Sequence, residues 1–320
     1  MNPIVQCVPN ISEGRNLDKI EYITKPLKNI KGFKLISVEP DKDYNRSVIT
    51  LIGNPEMMIE PLIEFFRRAE EKIDMNLHQG EHARMGAVDV VPFIPISDIS
   101  IEECITYAKL LAQKVSSALN ISIYLYAKAA QFPSRVNLPN IRKGEFEQMS
   151  EKIKDSDWKP DFGPSVMHKT FGVTAIGARI PLIAYNIDLN TTDVKIAGNI
   201  AKAIRQSSGG FTYIQAGPVF LEERGHVQVT MNILDYKKNP IYRIFETVKM
   251  EAKRYHIEIT GSEVVGLVPL DALIRSVRYY SLVNEIPFSK SMPIKDVVKY
   301  AIKYLKLRDF DDLKVIEANL

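Results

Sequence analysis

The chain has 320 residues, of which 45% are hydrophobic and 25% charged, and a formal net charge of +3. These fractions are typical of an ordinary globular protein and exclude a disordered or fibrous chain. So small a positive charge favours no nucleic-acid partner. No apolar run approaches the roughly 18 residues expected of a membrane span, so we expect no membrane partner either.

The two cysteines, Cys7 and Cys104, lack CxxC spacing and predict no disulfide framework. No charged segment followed by an apolar one marks the N-terminus for export, so we expect a cytoplasmic protein. The length exceeds the roughly 250–300 residues at which single cores stop growing, which predicts two domains.

Alternating patterns predict short strands and amphipathic helices through the first half of the chain. The predicted strands are residues 4–8, 33–38, 46–52, a run beginning at 88, and 121–125. A helical pattern follows Leu17, and Asn54 before Pro55 is a helix-start signal. Ser100 and Glu103 form a capping box. The period of two in residues 121–125 is that of a half-buried strand.

Residues 128–170 lose this periodicity and gather four prolines, which predicts a long tract without regular structure, either functional or a connector. Beyond it, helices are predicted near Thr191 and from Asn239, and two or three closing helices after Pro269. The strands predicted in this half are residues 182–187, 211–215, 226–234 and 257–268.

Both halves therefore share the order strand, helix, two strands, helix, strand. Adjacent strand pairs exclude a purely parallel, doubly wound sheet and favour two α+β sandwiches of the split βαβ kind, with antiparallel or mixed sheets. We place one subdomain at residues 1–178 and the other, with the closing helices, at residues 179–320.

Residues 78–87, here called the His82 turn, are the chemically densest stretch of the chain. Histidine is the side chain best suited to accept a proton near neutral pH, so His82 is a candidate general base. Glu81 would orient or recharge it, or be a surface carboxylate. Arg84 would either grip a substrate carboxylate or tether the turn.

The same letters match H-x-x-E-H, in which two histidines bind zinc and the glutamate activates water. His78, Glu81 and His82 supply that pattern. Gly80 lies inside the supposed helical turn and no third ligand has a distinctive spacing, so we expect no metal site. A solvated polar turn is the other alternative.

A second candidate is the glycine-bounded segment 163–172, whose histidine, lysine and hydroxyls suit a binding cleft, although an ordinary interdomain loop is the alternative. Its residues are Gly163, Pro164, Ser165, Val166, Met167, His168, Lys169, Thr170, Phe171 and Gly172.

Four separated motifs carry a resemblance to a known family. They are VQCVPNISEG at 5–14, NRSV at 45–48, GEHARMGAVD at 80–89 and PDFGP at 160–164. In this order and at similar spacing they resemble the glutamate formimidoyltransferase family, which includes the N-terminal part of formimidoyltransferase-cyclodeaminase. The resemblance runs from about residue 4 to about residue 284.

The resemblance implies transfer of the formimidoyl group between N-formimidoyl-L-glutamate and tetrahydrofolate, a late step of histidine degradation. It implies two ferredoxin-like subdomains, a homodimer, and folate as co-substrate with no tightly bound cofactor. The family's catalytic histidine falls on His82 and its folate-binding loop on residues 163–172. Arg46 or Arg84 would orient the glutamate carboxylates.

Two positions depart from the family pattern. Glu39 stands where many relatives carry an aspartate, and Tyr44 where relatives often have a histidine or a small polar residue. Three alternatives to the implied activity stay open: transfer of a formyl group from 5-formyltetrahydrofolate, zinc-dependent hydrolysis, and folate binding without turnover.

Overall fold

The computed structural model describes residues 3–285, 287–289 and 291–320. The chain divides into two compact units, Met1–Ile180 and Pro181–Leu320. Each unit has its own sheet and its own hydrophobic core. Among the described residues, no helix is both long and apolar enough to cross a membrane.

The first unit begins with a βαββαβ order and then extends it. Its elements are β1 (Ile4–Cys7), β2 (Asn10–Ile11), α1 (Leu17–Thr24), β3 (Phe33–Asp41), β4 (Arg46–Gly53), α2 (Pro55–Lys72), β5 (Val88–Ser97), α3 (Ile101–Leu119), β6 (Ser122–Ala127), α4 (Leu138–Arg142), α5 (Glu145–Lys152) and β7 (Val173–Ala178).

The sheet of this unit is mixed. Antiparallel pairing places β4 between β3 and the β1–β2 pair, and β5 on the other side of that pair. β7 then pairs with β5, and β6 with β7, both in parallel. The first four positions have the strand order of a ferredoxin-like sandwich. The parallel strands extend it beyond β5.

Local signals set the helix starts in this unit. The Asn54 side chain accepts from the Glu56 amide at 2.9 Å, which caps α2. Ser100 and Glu103 form the capping box predicted for α3, with both reciprocal bonds present. The α1 helix ends at Thr24, because a 3₁₀ turn at Lys25–Leu27 follows it.

The prediction that residues 121–125 form a half-buried strand is wrong in its burial. Tyr124 and Tyr126 are buried, as are the aliphatic residues Ile123 and Leu125 that alternate with them. Their rings belong to a small second core that includes Ile141 and Met149 from α4 and α5. Both faces of β6 are therefore covered.

The prediction of a structureless tract at residues 128–170 is also wrong. It contains α4, α5 and two 3₁₀ turns, Pro133–Arg135 and Ser156–Trp158. Its helices are too short for their apolar spacing to register as a period. β7, at Val173–Ala178, was not predicted. Because β7 follows segment 163–172 within the first unit, that segment is not an interdomain loop.

The second unit is a ferredoxin-like sandwich with two added helices. Its elements are β8 (Ile183–Leu189), α6 (Val194–Ile204), β9 (Ile214–Leu221), β10 (His226–Ile233), α7 (Ile241–Lys253), β11 (Ile259–Val265), α8 (Leu270–Val283) and α9 (Ile294–Leu305). The sheet order is β11-β8-β10-β9, entirely antiparallel. β9 begins later than the predicted residues 211–215.

The predicted fold class is confirmed: the chain has two α+β subdomains, one with a mixed sheet and one with an antiparallel sheet.

Candidate active site around His82

The His82 turn is fastened to the β3–β4 connection by Asn45. This residue adopts a left-handed backbone with φ of +47°, which asparagine tolerates better than most residues. Its Nδ2 donates to the carbonyl of Gln79 at 2.8 Å, and its Oδ1 accepts from the amide of Gly14 at 3.0 Å. Three segments distant in sequence therefore meet at one side chain.

The glycines of the turn are required by close packing. A Cβ at Gly80 would lie 2.5 Å from the carbonyl oxygen of Tyr44, and one at Gly86 would lie 2.1 Å from that of Val173. Both neighbours are backbone atoms that have no room to move aside. Only glycine allows the turn to approach the β3–β4 connection and β7 so closely.

His78 is a structural member of the turn. Its Nε2 lies 2.7 Å from the carbonyl of Asn45, which can only accept, so Nε2 carries the proton. Its Nδ1 accepts from Nε of Arg84 at 3.2 Å. Burial lowers the pKa of His78, in keeping with a neutral ring.

This geometry does not support the H-x-x-E-H hypothesis. Both ring nitrogens of His78 are hydrogen-bonded within the protein, so neither offers a lone pair to a metal. Within the described part of the chain, no three His, Cys, Asp or Glu side chains are grouped to hold an ion. Glu81 is exposed, and its amide donates to the carbonyl of Asp43 at 3.2 Å.

Arg84 is bound by its neighbours. Nη1 and Nη2 contact the carboxylate of Glu147 at 2.8 and 2.7 Å, and Nη1 also donates to Glu145 at 2.9 Å. Nη2 and Nε further contact His78. The guanidinium is therefore saturated by the N-terminal turn of α5 and by His78. Of its two predicted roles, this geometry favours the tether.

His82 faces a different environment. Its Nε2 lies 3.2 Å from Nη1 of Arg46. Because a guanidinium only donates, Nε2 is the acceptor and the ring is neutral. Burial lowers the pKa of His82 well below its usual range, and the positive charges of Arg46 and Arg142 lower it further. At neutral pH the imidazole is in the form that can take up a proton.

Arg46 is the first residue of β4 and reaches back to the turn. Its Nη1 also donates to Oδ1 of Asn10 at 3.2 Å, and its guanidinium carbon lies 5.3 Å from the centre of the Tyr44 ring. Its Nε is buried without a hydrogen-bond partner in the described part of the chain. Burial, followed by the nearby Arg142, lowers the pKa of Arg46.

Asp89 and Arg142 belong to the site but were not predicted from the sequence. Asp89, 1% exposed, accepts from the Met85 amide at 2.9 Å through Oδ1 and from Nε of Arg142 at 2.9 Å through Oδ2. The bond to Met85 fixes the end of the His82 turn, and the bond to Arg142 holds the positive charge of that residue near His82. The signal was available: an aspartate in the apolar run from Val88 to Val91 implies a buried partner.

The segment 163–172 is joined to the turn by backbone bonds. The amide of Ala87 donates to the carbonyl of Phe171 at 2.7 Å, and the amide of Val173 to that of Met85 at 3.0 Å. At its other end, the Ser122 hydroxyl donates to the carbonyls of Pro164 and Val166. The Val166 side chain is 70% exposed and Lys169 is also exposed, whereas Met167 and His168 are half-buried.

Glu39 and His168 were also predicted to belong to the site, and each has a hydrogen-bond partner within the protein. Glu39 lies within β3, and one of its carboxylate oxygens accepts from the Ser37 hydroxyl at 2.9 Å. His168 in segment 163–172 accepts from the Phe171 amide at 3.1 Å through Nδ1, and its Nε2 lies 3.4 Å from Glu70.

Comparison with known families decides the relationship. Residues 4–179 match the N-terminal subdomain of the formiminotransferase domain, and residues 184–318 match the formiminotransferase domain itself. The chain belongs to the formiminotransferase family. This confirms the resemblance found in the four motifs.

Individual relatives agree with the family match. The chain is 45% identical to a glutamate formimidoyltransferase of Streptococcus pyogenes over 91% of its length and 98% of that protein. It is 45% identical to one of Thermoplasma acidophilum over 88% and 93%. It is 41% identical to the mouse formimidoyltransferase-cyclodeaminase over 88% of its own length, which spans 53% of that longer protein.

Proposed function

We propose that this protein is a glutamate formimidoyltransferase, which moves the formimidoyl group between N-formimidoyl-L-glutamate and tetrahydrofolate. The match to transferases of that name over nearly their whole length supports the reaction. The observation that carries the site is the neutral imidazole of His82, whose Nε2 lone pair faces Arg46 at 3.2 Å.

The chemistry requires a group that moves protons. The attacking amine adds to the amidine carbon of the formimidoyl group and forms a tetrahedral intermediate. The attacking nitrogen must then lose a proton, and the departing nitrogen must gain one, before the bond between the amidine carbon and the departing nitrogen breaks. His82 takes the first proton and returns it to the leaving nitrogen.

Arg46 links substrate binding to this step. In the structure its Nη1 donates to the lone pair that His82 needs as a base. A carboxylate of the glutamate substrate is a stronger acceptor for a guanidinium than a neutral imidazole. Binding of that carboxylate draws Arg46 away and frees Nε2 for the amine proton. Its buried Nε supplies a further donor.

Segment 163–172 binds the folate co-substrate. Its ends are fastened to β6 and to the His82 turn, while Ser165, Val166 and Lys169 between them are exposed. An open loop anchored to the catalytic turn suits a ligand that must meet His82. In this proposal tetrahydrofolate is a co-substrate, with no tightly bound cofactor.

Family membership supports a wider proposal about pathway, compartment and assembly. We place the reaction in histidine degradation in the cytoplasm and the protein in a homodimer, with glutamate-type and folate molecules as its partners. Light scattering coupled to gel filtration tests the dimer, because a protein of 36.3 kDa doubles in mass on dimerising.

The test compares wild type with His82→Ala in a spectrophotometric assay. Both donors are supplied, the formimidoyl and the formyl compound, with and without chelator. We expect activity with the formimidoyl donor that survives chelation. We expect His82→Ala to lower kcat by about a hundredfold to ten-thousandfold while folate affinity stays close to wild type.

Gln79→Ala is the matched control. Gln79 lies in the same turn with an exposed side chain, and its bond to Asn45 is made by the backbone carbonyl, which the substitution keeps. It should retain wild-type turnover. Unchanged kcat in His82→Ala would remove the proposed role of the imidazole. A preference for the formyl donor would reassign the reaction.

A further inference from the structure

The second unit contains a cavity among its helices, and none of the residues that line it belongs to the candidate site. It is bounded by α7, α8, α9 and the start of β11, and its volume is about 450 Å³. Cavities that hold small molecules typically measure about 300–1,000 Å³. The cavity is therefore large enough for a ligand of one or two rings.

Aromatic rings form one wall of this cavity. Tyr280 and Tyr304 stack with centroids 4.9 Å apart, and Tyr279 meets Tyr280 edge-on at 5.1 Å. Tyr279 is in turn stacked on Tyr242 at 4.1 Å. Rings fixed by their neighbours in this way form a rigid aromatic wall, so a ligand that contacts it costs little side-chain entropy.

The rest of the lining carries an excess of positive charge. Lys249, Lys253, Lys303 and Lys306 line the cavity, against the two carboxylates of Glu246 and Glu258. Glu246 is already engaged, since it accepts from the Tyr280 hydroxyl at 2.7 Å and lies 3.3 Å from Lys249.

Two of the four ammonium groups remain available. Nζ of Lys306 donates to the carbonyl of Ile259 at 2.7 Å. Lys253 and Lys303 are exposed, and their ammonium groups make no hydrogen bond or ion pair to any residue the structure describes, although Nζ of Lys303 lies 5.2 Å from the Tyr304 ring. Unpaired ammonium groups beside an aromatic wall favour a ligand that is both planar and anionic.

We propose that this cavity is a second binding site, for a small molecule that joins a planar aromatic ring to phosphate or carboxylate groups. The ring packs against the half-buried Tyr279 and Tyr304, and the anionic group contacts Lys253 and Lys303. Lysine binds phosphate and carboxylate alike as a point charge. The cavity has no lining residue in common with the His82 turn, so we expect substitutions in it to leave the transfer reaction unchanged.

Calorimetric titration of the full-length protein tests the proposal with four probes. AMP carries the ring with a phosphate, and phthalate carries a ring with carboxylates. Pyrophosphate and citrate carry charge without a ring. We expect one molecule of AMP or phthalate to bind per chain. Binding of pyrophosphate and citrate should be at least tenfold weaker.

The K253E/K303E double variant should weaken the binding of the ring-bearing probe at least tenfold and leave the thermal midpoint and transferase kcat at wild-type values. Lys299→Glu is the matched control, because it lies one turn earlier on α9 and does not line the cavity. Absence of binding by both ring-bearing probes would overturn the proposal. So would equal loss in the control, or equal affinity for the ringless anions.

Discussion

At the scale of single residues, the two histidines of the turn are given opposite roles by their neighbours. His78 has both nitrogens committed, one to the Asn45 carbonyl and one to Arg84. His82 keeps its lone pair toward a guanidinium that a substrate carboxylate can attract. The two histidines are four positions apart in sequence, and their roles differ because His78 meets Asn45 and Arg84 whereas His82 meets Arg46 of β4.

The lowered pKa of His82 predicts a pH dependence of activity. Its neutral form is the base, so kcat/KM should be level through neutral pH and fall only below the usual histidine range. In Arg46→Gln the second-largest cause of the lowered pKa is removed, and the acidic limb should move to higher pH. A pH profile of both proteins measures this; coincident limbs would contradict a role for Arg46.

The same pKa predicts a pH dependence of stability. The unfolded chain binds a proton at this histidine below about pH 6.5, whereas folded His82 resists protonation. Stability is therefore lost as the pH falls from about 6.5 toward the folded pKa. Urea titrations at pH 7.5 and 5.5 should show a smaller loss for His82→Gln than for wild type. An equal loss in both would show that the ring titrates normally.

Arg84 is expected to matter for stability more than for substrate binding. Arg84→Met leaves the buried Nδ1 of His78 without its donor and releases Glu145 and Glu147. We expect the free energy of unfolding to fall by about 1–3 kcal/mol, because a buried acceptor loses its donor. The loss is no larger than this because both glutamates are largely solvated.

Urea unfolding measures this loss, and steady-state kinetics should show an unchanged KM for the formimidoyl donor. Glu147→Gln, whose side chain is 60% exposed, serves as the milder control. A KM raised tenfold in Arg84→Met with normal stability would instead place the guanidinium on the substrate.

At the scale of elements, an ion pair fixes the tract that covers β6. Arg135 and Asp161 are each 1% exposed, and Nη1 lies 2.8 Å from Oδ2. The same oxygen accepts from the Leu125 amide on β6 at 2.7 Å, and Nη2 donates to the Asp157 and Lys159 carbonyls. The pair therefore holds the tract against β6 two residues before segment 163–172 begins.

Asp161→Asn should be strongly destabilising, because it leaves a buried guanidinium without its countercharge. Removal of one partner of such a pair typically costs about 3–5 kcal/mol. Asp157→Asn is the control, since that residue contributes only its carbonyl to Arg135 and its side chain is exposed. Chemical denaturation compares the two variants, and a loss no larger than in the control would show that the pair is dispensable.

At the scale of the whole molecule, the ferredoxin-like order occurs twice with different additions. The first unit adds parallel strands and the tract that covers them, and these bear segment 163–172. The second unit adds α8 and α9, which pack on its core. Together with α7 and β11, these helices line the cavity proposed above as a second binding site. Each unit has a core built from its own residues.

Separate cores predict separate folding. Residues 1–180 and 181–320, expressed as individual fragments, should each unfold cooperatively in urea when followed by circular dichroism, because both lengths are ordinary for single domains. A fragment that shows only a broad, noncooperative change would contradict the independence of its core.

Much of the architecture was determined by the sequence itself. Alternation and capping signals are local, so the order of strands and helices, the starts of α2 and α3, and the split βαβ rhythm follow from residues close together in the chain. The His82 turn was also identifiable, because its density of titratable groups between glycines is a local property.

Only the tertiary structure decided how those groups are used. Arg84 is tethered by Glu147, 63 residues away, and His82 faces Arg46, 36 residues away. Tyr124 and Tyr126 are buried because α4 and α5 cover β6, which no alternation in residues 121–125 can reveal. Protonation state, burial on a second face and the partner of a charge all depend on contacts between distant segments, and these form only when the chain is packed.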